Sequence, residues 1–178
     1  MRNATSKPRR GFTLVELLVV VLIVAALAAI GTAVIRSSIR SSHKAACLSN
    51  LRQIGVGLEM YLQDHNALMP TLAAGRQSRQ EDIPVIETAL LPYLESKDVF
   101  ECPADPEAFA QSGSSYLWNT TQNGLHVTQL AFFGTEDASR IPLVADKESW
   151  HSDAGEGGTN ILYADRSADS RLRLSTGP

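Results

Sequence analysis

The nineteen residues from Leu17 to Ile35 (LLVVVLIVAALAAIGTAVI) carry no charge, and this run restricts the chain more than any other feature. An apolar stretch of about 18 or more residues is a candidate for a membrane-spanning helix. Extended back to Phe12, it reaches roughly 36 Å at 1.5 Å per residue, enough to cross the hydrocarbon layer. A buried core helix of that length would need a far larger domain around it than a chain of 178 residues, 44% hydrophobic, can build. The length instead allows one modest globular domain with an appendage.

Charge is divided sharply along the chain. Residues 1–52 hold eight Lys or Arg against the single acid Glu16, whereas the remainder holds eight basic and eighteen acidic residues. A basic start, an apolar run and an acidic remainder predict a cytoplasmic N-terminus and an exported main domain, following the positive-inside bias. An acidic domain does not present the basic patch that nucleic acid requires, so no nucleic-acid partner is expected.

Two ordinary readings of the N-terminus fall short. A secretory signal would use Arg2, Lys7, Arg9 and Arg10 as its basic region and Ala26-Leu27-Ala28 for cleavage. An uncleaved anchor would keep the whole segment. Neither accounts for Glu16, a carboxylate four residues into the apolar segment, where an unpaired charge costs about 3 kcal/mol or more and marks function by default.

The segment RRGFTLVELL, Arg9 to Leu18, resembles the cleavage and methylation signature of type IV prepilins and type II secretion pseudopilins. The resemblance implies cutting between Gly11 and Phe12 by a membrane-embedded prepilin peptidase, with N-methylation of the new terminal Phe12 by the same enzyme. Gly11 is then part of a substrate, and its small size allows close backbone approach. The freed amine of Phe12 stays cationic after methylation, so Glu16 of a neighbouring subunit can neutralise it and set the axial register of assembly. Many members of the family carry a kinking Pro about two turns before the apolar segment ends. Ala33 stands there in this chain, with Gly31 and Thr32 nearby, which leaves a straighter helix or a kink at Gly31.

Beyond Ile35 the pattern turns amphipathic. Cys47, Leu51, Ile54, Leu58 and Leu62 recur at three- and four-residue steps, while Arg40, Lys44, Arg52, Glu59 and Gln63 occupy other faces. No Pro interrupts residues 12–64, which predicts one continuous helix, about 80 Å long at 1.5 Å per residue, ended by Asp64-His65-Asn66 and Pro70. Gly55 and Gly57 weaken it but permit close approach of a sheet. Residues 85–95 predict a short helix. Tyr116 to Trp118, Ile141 to Ala145, Ile161 to Ala164 and Arg171 to Leu174 read as strands, and Ser152 to Gly158 as an exposed loop.

The segment ACLSNLRQIG, Ala46 to Gly55, followed by Met60-Tyr61 and Asp64, resembles a pseudopilin-like family common in planctomycetes and verrucomicrobia. Phe100 to Pro106 (FECPADP), Ser115 to Asn119, Pro142 to Asp146 and Gly158 to Asp165 resemble later pieces of that family in the same order. The family continues its last motif with Asp-Gly-His or similar, whereas this chain has Asp165-Arg166-Ser167. A hairpin turn here must do without Gly at residue 166, which points to a longer connection.

Cys47 and Cys102 are the two cysteines. Export would let them form a disulfide, and two separately buried thiols are the alternative. Zinc is disfavoured because no second Cys or His stands at a paired ligand spacing. Asp146, Asp153, Glu156 and Asp165 place oxygen donors around the C-terminal loop, similar to the calcium-binding loops of some major pseudopilins, although solvated turn residues have the same composition. His151 with Asp165 could form an acid–base pair, but no nucleophile motif accompanies them, and surface or turn roles are expected.

The expected fold class is α+β and pilin-like, a long N-terminal transmembrane and amphipathic helix packed on a small antiparallel sheet. The expected segments are a leader over 1–11, a membrane and assembly segment over 12–35, an amphipathic continuation over 36–64 and a globular domain over 65–178. No enzymatic activity and no cofactor are expected, calcium being the one candidate ion. Expected partners are prepilin peptidase, other pilin or pseudopilin subunits, an inner-membrane assembly platform and membrane lipid. A minor pilin for adhesion or DNA uptake, or a signal-anchored extracellular binding module, are the competing readings of the whole chain.

Overall fold

Fifty-one consecutive residues, Leu14–Asp64, form helix α1, as the absence of Pro over this stretch permits. The computed structural model describes residues 11–152 and 158–173, the side chains of residues 29–34 excepted. The helix is continuous through Gly31, Thr32 and Ala33. It stops as anticipated after Asp64. The Ala67 N–H reaches back to the Leu62 carbonyl at 2.8 Å, and Asn66 and Ala67 take left-handed backbone angles of 54° and 57° before Pro70.

The chain divides into two compact units, Met1–Ile39 and Arg40–Pro178, so the amphipathic half of α1 belongs to the globular unit and does not merely precede it. Cys47, Leu51 and Ile54 are fully buried and Leu58 nearly so. That stripe packs in one core with Ile86, Leu90, Phe100, Tyr116, Trp118, Val144 and Leu162. Gly55 brings α1 close to the sheet, since a Cβ there would stand 3.2 Å from the Leu162 side chain. Gly57 serves a different neighbour, its missing Cβ leaving room for Leu94 at 3.0 Å.

Strands β1 (Tyr116–Trp118), β2 (Pro142–Asp146), β3 (Ile161–Tyr163) and β4 (Ala168–Asp169) form an antiparallel sheet in that order. Tyr116 pairs with Asp146, Trp118 with Val144 and Ala145 with Ile161. Helix α2 (Ile86–Leu90) passes into a 3₁₀ turn over Leu91–Tyr93, where Pro92 cannot supply a helical N–H.

The last strand corrects the sequence expectation. It lies at Ala168–Asp169, not at 171–173, residue 174 of the expected strand lying outside the described residues, and the connection from β3 is short. Residue 166 still takes the left-handed conformation, with Arg166 at φ 69°, and its N–H bonds to the Tyr163 carbonyl at 2.9 Å. An L side chain in that region costs about 1–2 kcal/mol. The Arg166 guanidinium meets the Glu59 carboxylate of α1 at 2.9 Å, a contact that Gly could not make and that offsets part of this cost.

Helix α3 (Ala108–Ser112) ends on Gly113 at φ 94°, whose N–H caps the Phe109 carbonyl. A Cβ on Gly113 would sit 2.8 Å from the guanidinium of Arg76. That guanidinium is held by Glu87 at 3.1 Å and by the Ser112 carbonyl at 2.7 Å. Gly113→Ala is therefore expected to destabilise the detergent-solubilised full chain by about 1–2 kcal/mol, read as a lower urea midpoint.

Candidate functional site: the N-terminal segment and a buried polar cluster

Thr13 and Glu16 form a reciprocal cap at the start of α1. The Thr13 N–H and hydroxyl donate to Glu16 Oε2 at 2.9 and 2.8 Å, and the Glu16 N–H donates to Thr13 Oγ1 at 3.3 Å. This is the capping box, in which two residues three apart satisfy each other's orphan donors. The signal was present in the sequence as Thr13-Leu14-Val15-Glu16, although reasoning from charge alone passes over it. Glu16 thus has an intramolecular partner in the isolated chain, engaged through Oε2.

Gly11 and Phe12 lie just outside the cap. Phe12 is 79% exposed, and no atom stands within 4 Å of the place where a Cβ on Gly11 would be, so the bond between them is open to approach. Every described side chain from Phe12 to Ala28 is exposed. A helix that is apolar on all faces requires a covering of lipid or of other helices. Among the described residues no helix is long and apolar enough to cross a membrane. The apolar run of residues 17–35 includes residues 29–34, which lie outside those described side chains.

Cys47 and Cys102 are joined by a disulfide, both fully buried, with Cα atoms 5.0 Å apart. The bridge ties α1 to the loop before α3. That loop is held independently: the Cys102 N–H donates to Ser115 Oγ at 2.9 Å, and the Ser115 hydroxyl donates to Asp105 at 2.6 Å. Asp105 also accepts from the backbone N–H groups of Glu107, Ala108 and Phe109. Burial pushes the Asp105 carboxyl up, but these hydrogen bonds outweigh it and hold the group below its ordinary value. The amide of Asn50 donates to the Glu101 carbonyl at 2.7 Å. The motifs around Cys47, Cys102 and Ser115 are in this way one cross-linked junction.

His151 departs from its expected surface role. It is buried at 7% exposure, with Nε2 at 3.4 Å from Cys102 Sγ and 3.8 Å from Asp146 Oδ2. Burial, with Lys44 and His43 nearby, lowers its proton affinity below that of a free imidazole. Asp146 is buried as well, and burial pushes its carboxyl up to about 7. Its Oδ2 accepts from the Asn160 N–H at 2.8 Å, while Oδ1 has no partner in hydrogen-bonding geometry among the described residues.

The four carboxylates considered for calcium are not gathered by what is described. Asp153 and Glu156 lie outside the described residues. Asp146 ends β2 beside Asn160, whereas Asp165 follows β3 at the opposite end of the pair, because Pro142 lies opposite Tyr163. Asp165 is exposed and caps the turn by accepting from the Ser167 N–H and hydroxyl. For the same reason His151 and Asp165 are not partners.

A cleft of about 620 Å³ opens beside α1, floored by Leu58, Met69, Ile141 and Leu162 and edged by the Glu59–Arg166 pair. Its walls come from segments far apart in the chain, so no local pattern announces it.

Residues 6–32 match the family described as the prokaryotic N-terminal methylation motif. No curated protein and no solved structure matches the chain. With the open Gly11–Phe12 bond and the capped Glu16 behind it, the motif supports a type IV pilin-like protein that is processed by prepilin peptidase and assembles with other pilin subunits.

Proposed function

We propose that the chain is a structural subunit, not an enzyme, of a pseudopilus or type IV pilus-like fibre serving type II-like protein secretion. The supporting observation is the N-terminal methylation motif over residues 6–32, within which a capped helix is apolar on every face from Leu17 to Ala28. Before assembly the helix lies across the inner membrane with the basic leader in the cytoplasm and the acidic unit exported. The assembly platform then moves it from lipid into a bundle of identical helices. Lipid and neighbouring helices are equally apolar, so the transfer costs little, and charge rather than hydrophobicity sets the register. Glu16 is the group that carries that charge.

Mass spectrometry of the N-terminus from native membranes tests the reading. The mature chain is expected to begin at methylated Phe12, and Met1 is expected to be retained when the cell's prepilin peptidase is deleted. A chain beginning at Ala29, or one that keeps Met1 in both backgrounds, would replace this reading with a signal-cleaved or signal-anchored binding module.

A further inference from the structure

The sequence argues against zinc because no two of its soft donors stand at a paired spacing, yet the fold brings three together from segments some fifty residues apart. The donor atoms of Cys47, Cys102 and His151 all lie within 4.8 Å of one another, and all three residues are buried. We propose that the dithiol form of this chain is a zinc-binding protein, with Cys47, Cys102 and His151 as ligands and Asp146 at the fourth position. The proposal is independent of the reading of the N-terminus.

The distances fit the ion. Tetrahedral zinc, with bonds of about 2.3 Å to sulfur and about 2.0 Å to nitrogen or oxygen, sets an N···S pair about 3.5 Å apart and an N···O pair about 3.3 Å apart. His151 Nε2 stands 3.4 Å from Cys102 Sγ and 3.8 Å from Asp146 Oδ2. The sulfur is already in place, and Asp146 closes by about 0.5 Å on binding. The two sulfurs, bonded to each other here, move out to contact distance when the bond is broken, which is the spacing that zinc needs. Asp146 provides the second, independent observation. It is 4% exposed, its Oδ1 lacks a hydrogen-bond partner among the described residues, and the Asn160 N–H fixes the carboxylate through Oδ2. A buried carboxylate left half-satisfied beside the His151 imidazole is a donor without an acceptor of its electrons.

The chemistry balances as follows. A newly made chain already carries two thiols; an oxidised one takes two electrons and two protons from a dithiol reductant, which becomes a disulfide. Zinc then displaces the two thiol protons to solvent and binds both thiolates and the neutral imidazole. Two thiolates and one carboxylate against the ion leave one negative charge, and the Lys44 ammonium acting on this region offsets it. The disulfide and the zinc use the same two sulfurs, so the states exclude each other. Both join α1 at residue 47 to the loop at residue 102, and zinc additionally holds the segment at 151. A chain that has not been oxidised can thus keep the same junction closed.

The test uses the full chain in detergent, prepared as disulfide and, under a phosphine reductant, as dithiol, each stripped with a chelator. Zinc is titrated in competition with a chromophoric chelator, and cobalt is used as a spectroscopic substitute. The dithiol form is expected to take one zinc per chain and to give the thiolate charge-transfer and tetrahedral bands of cobalt, and the disulfide form to take none. His151→Ala is expected to weaken binding at least about a hundredfold and Asp146→Asn about tenfold. The oxidised His151→Ala chain, judged by tryptophan emission, controls for folding. If that variant fails to fold, X-ray absorption of the wild-type zinc form decides by counting two sulfurs and one imidazole. Equal binding by both redox forms, no binding by the dithiol form, or unchanged affinity in a folded His151→Ala chain would each overturn the proposal.

Discussion

Glu16→Val is expected to be cut after Gly11 and methylated at Phe12 like the wild type, and to be nearly absent from the assembled fibre. Cleavage depends on the open bond at Gly11, which the substitution does not touch. Assembly in the proposed fibre buries the new amine of Phe12, and removing one partner of a buried ion pair costs about 3–5 kcal/mol. At 1.4 kcal/mol per factor of ten, incorporation should fall at least about a hundredfold. The capping box complicates the inference, because Val also removes the acceptor for the Thr13 N–H and hydroxyl. That loss alone is worth about 1 kcal/mol. Glu16→Gln separates the two roles, since Gln completes a capping box but carries no charge. If Gln fails to assemble as Val does, charge is decisive. If Gln assembles as well as Glu, the residue acts as a helix cap and the neutralisation argument is wrong. Mass spectrometry for processing and immunoblots of sheared fibres for incorporation give both readouts.

Breaking the Cys47–Cys102 bridge should have the second large effect. The bond closes a loop of 55 residues. The chain-entropy relation gives about 4 kcal/mol for a loop of that size. Against a slope of about 2 kcal/mol per molar urea, the midpoint should drop on the order of 2 M when the full chain is reduced in the presence of a chelator. Trp118, buried in the same core, reports the transition. Cys102→Ser should match the reduced chain. A drop below about 0.5 M would mean that the Ser115–Asp105 network holds the junction without the bond. Adding zinc to the reduced chain, but not to Cys102→Ser, should recover part of the lost midpoint.

The N-terminal methylation motif was legible in the sequence because it depends on neighbours in the chain. The leader charges, Gly11, Phe12, Glu16 and the apolar run form one contiguous stretch, and the apolar stripe from Cys47 to Leu58 is a periodicity of a single helix. Three of four strands were placed within about a residue or two for the same reason: alternation and turn residues are local. The fourth was misplaced because Arg166 adopts a conformation that its own type disfavours. The contact that offsets the cost, Glu59 on α1, is more than a hundred residues away.

The sequence by itself determined the N-terminal methylation motif and which helix face meets the core, since a contiguous motif and a 3.6-residue period need no distant partner to be read. Tertiary structure alone decided that Cys47 lies against Cys102, that His151 is buried beside them with Asp146 next to it, and that Asp165 is not. Those groupings follow from the register of β2 on β3 and the packing of α1 on the sheet. Such contacts join residues about fifty or more apart, where the free energy is set by which surfaces fit together, and no spacing rule along the chain records it.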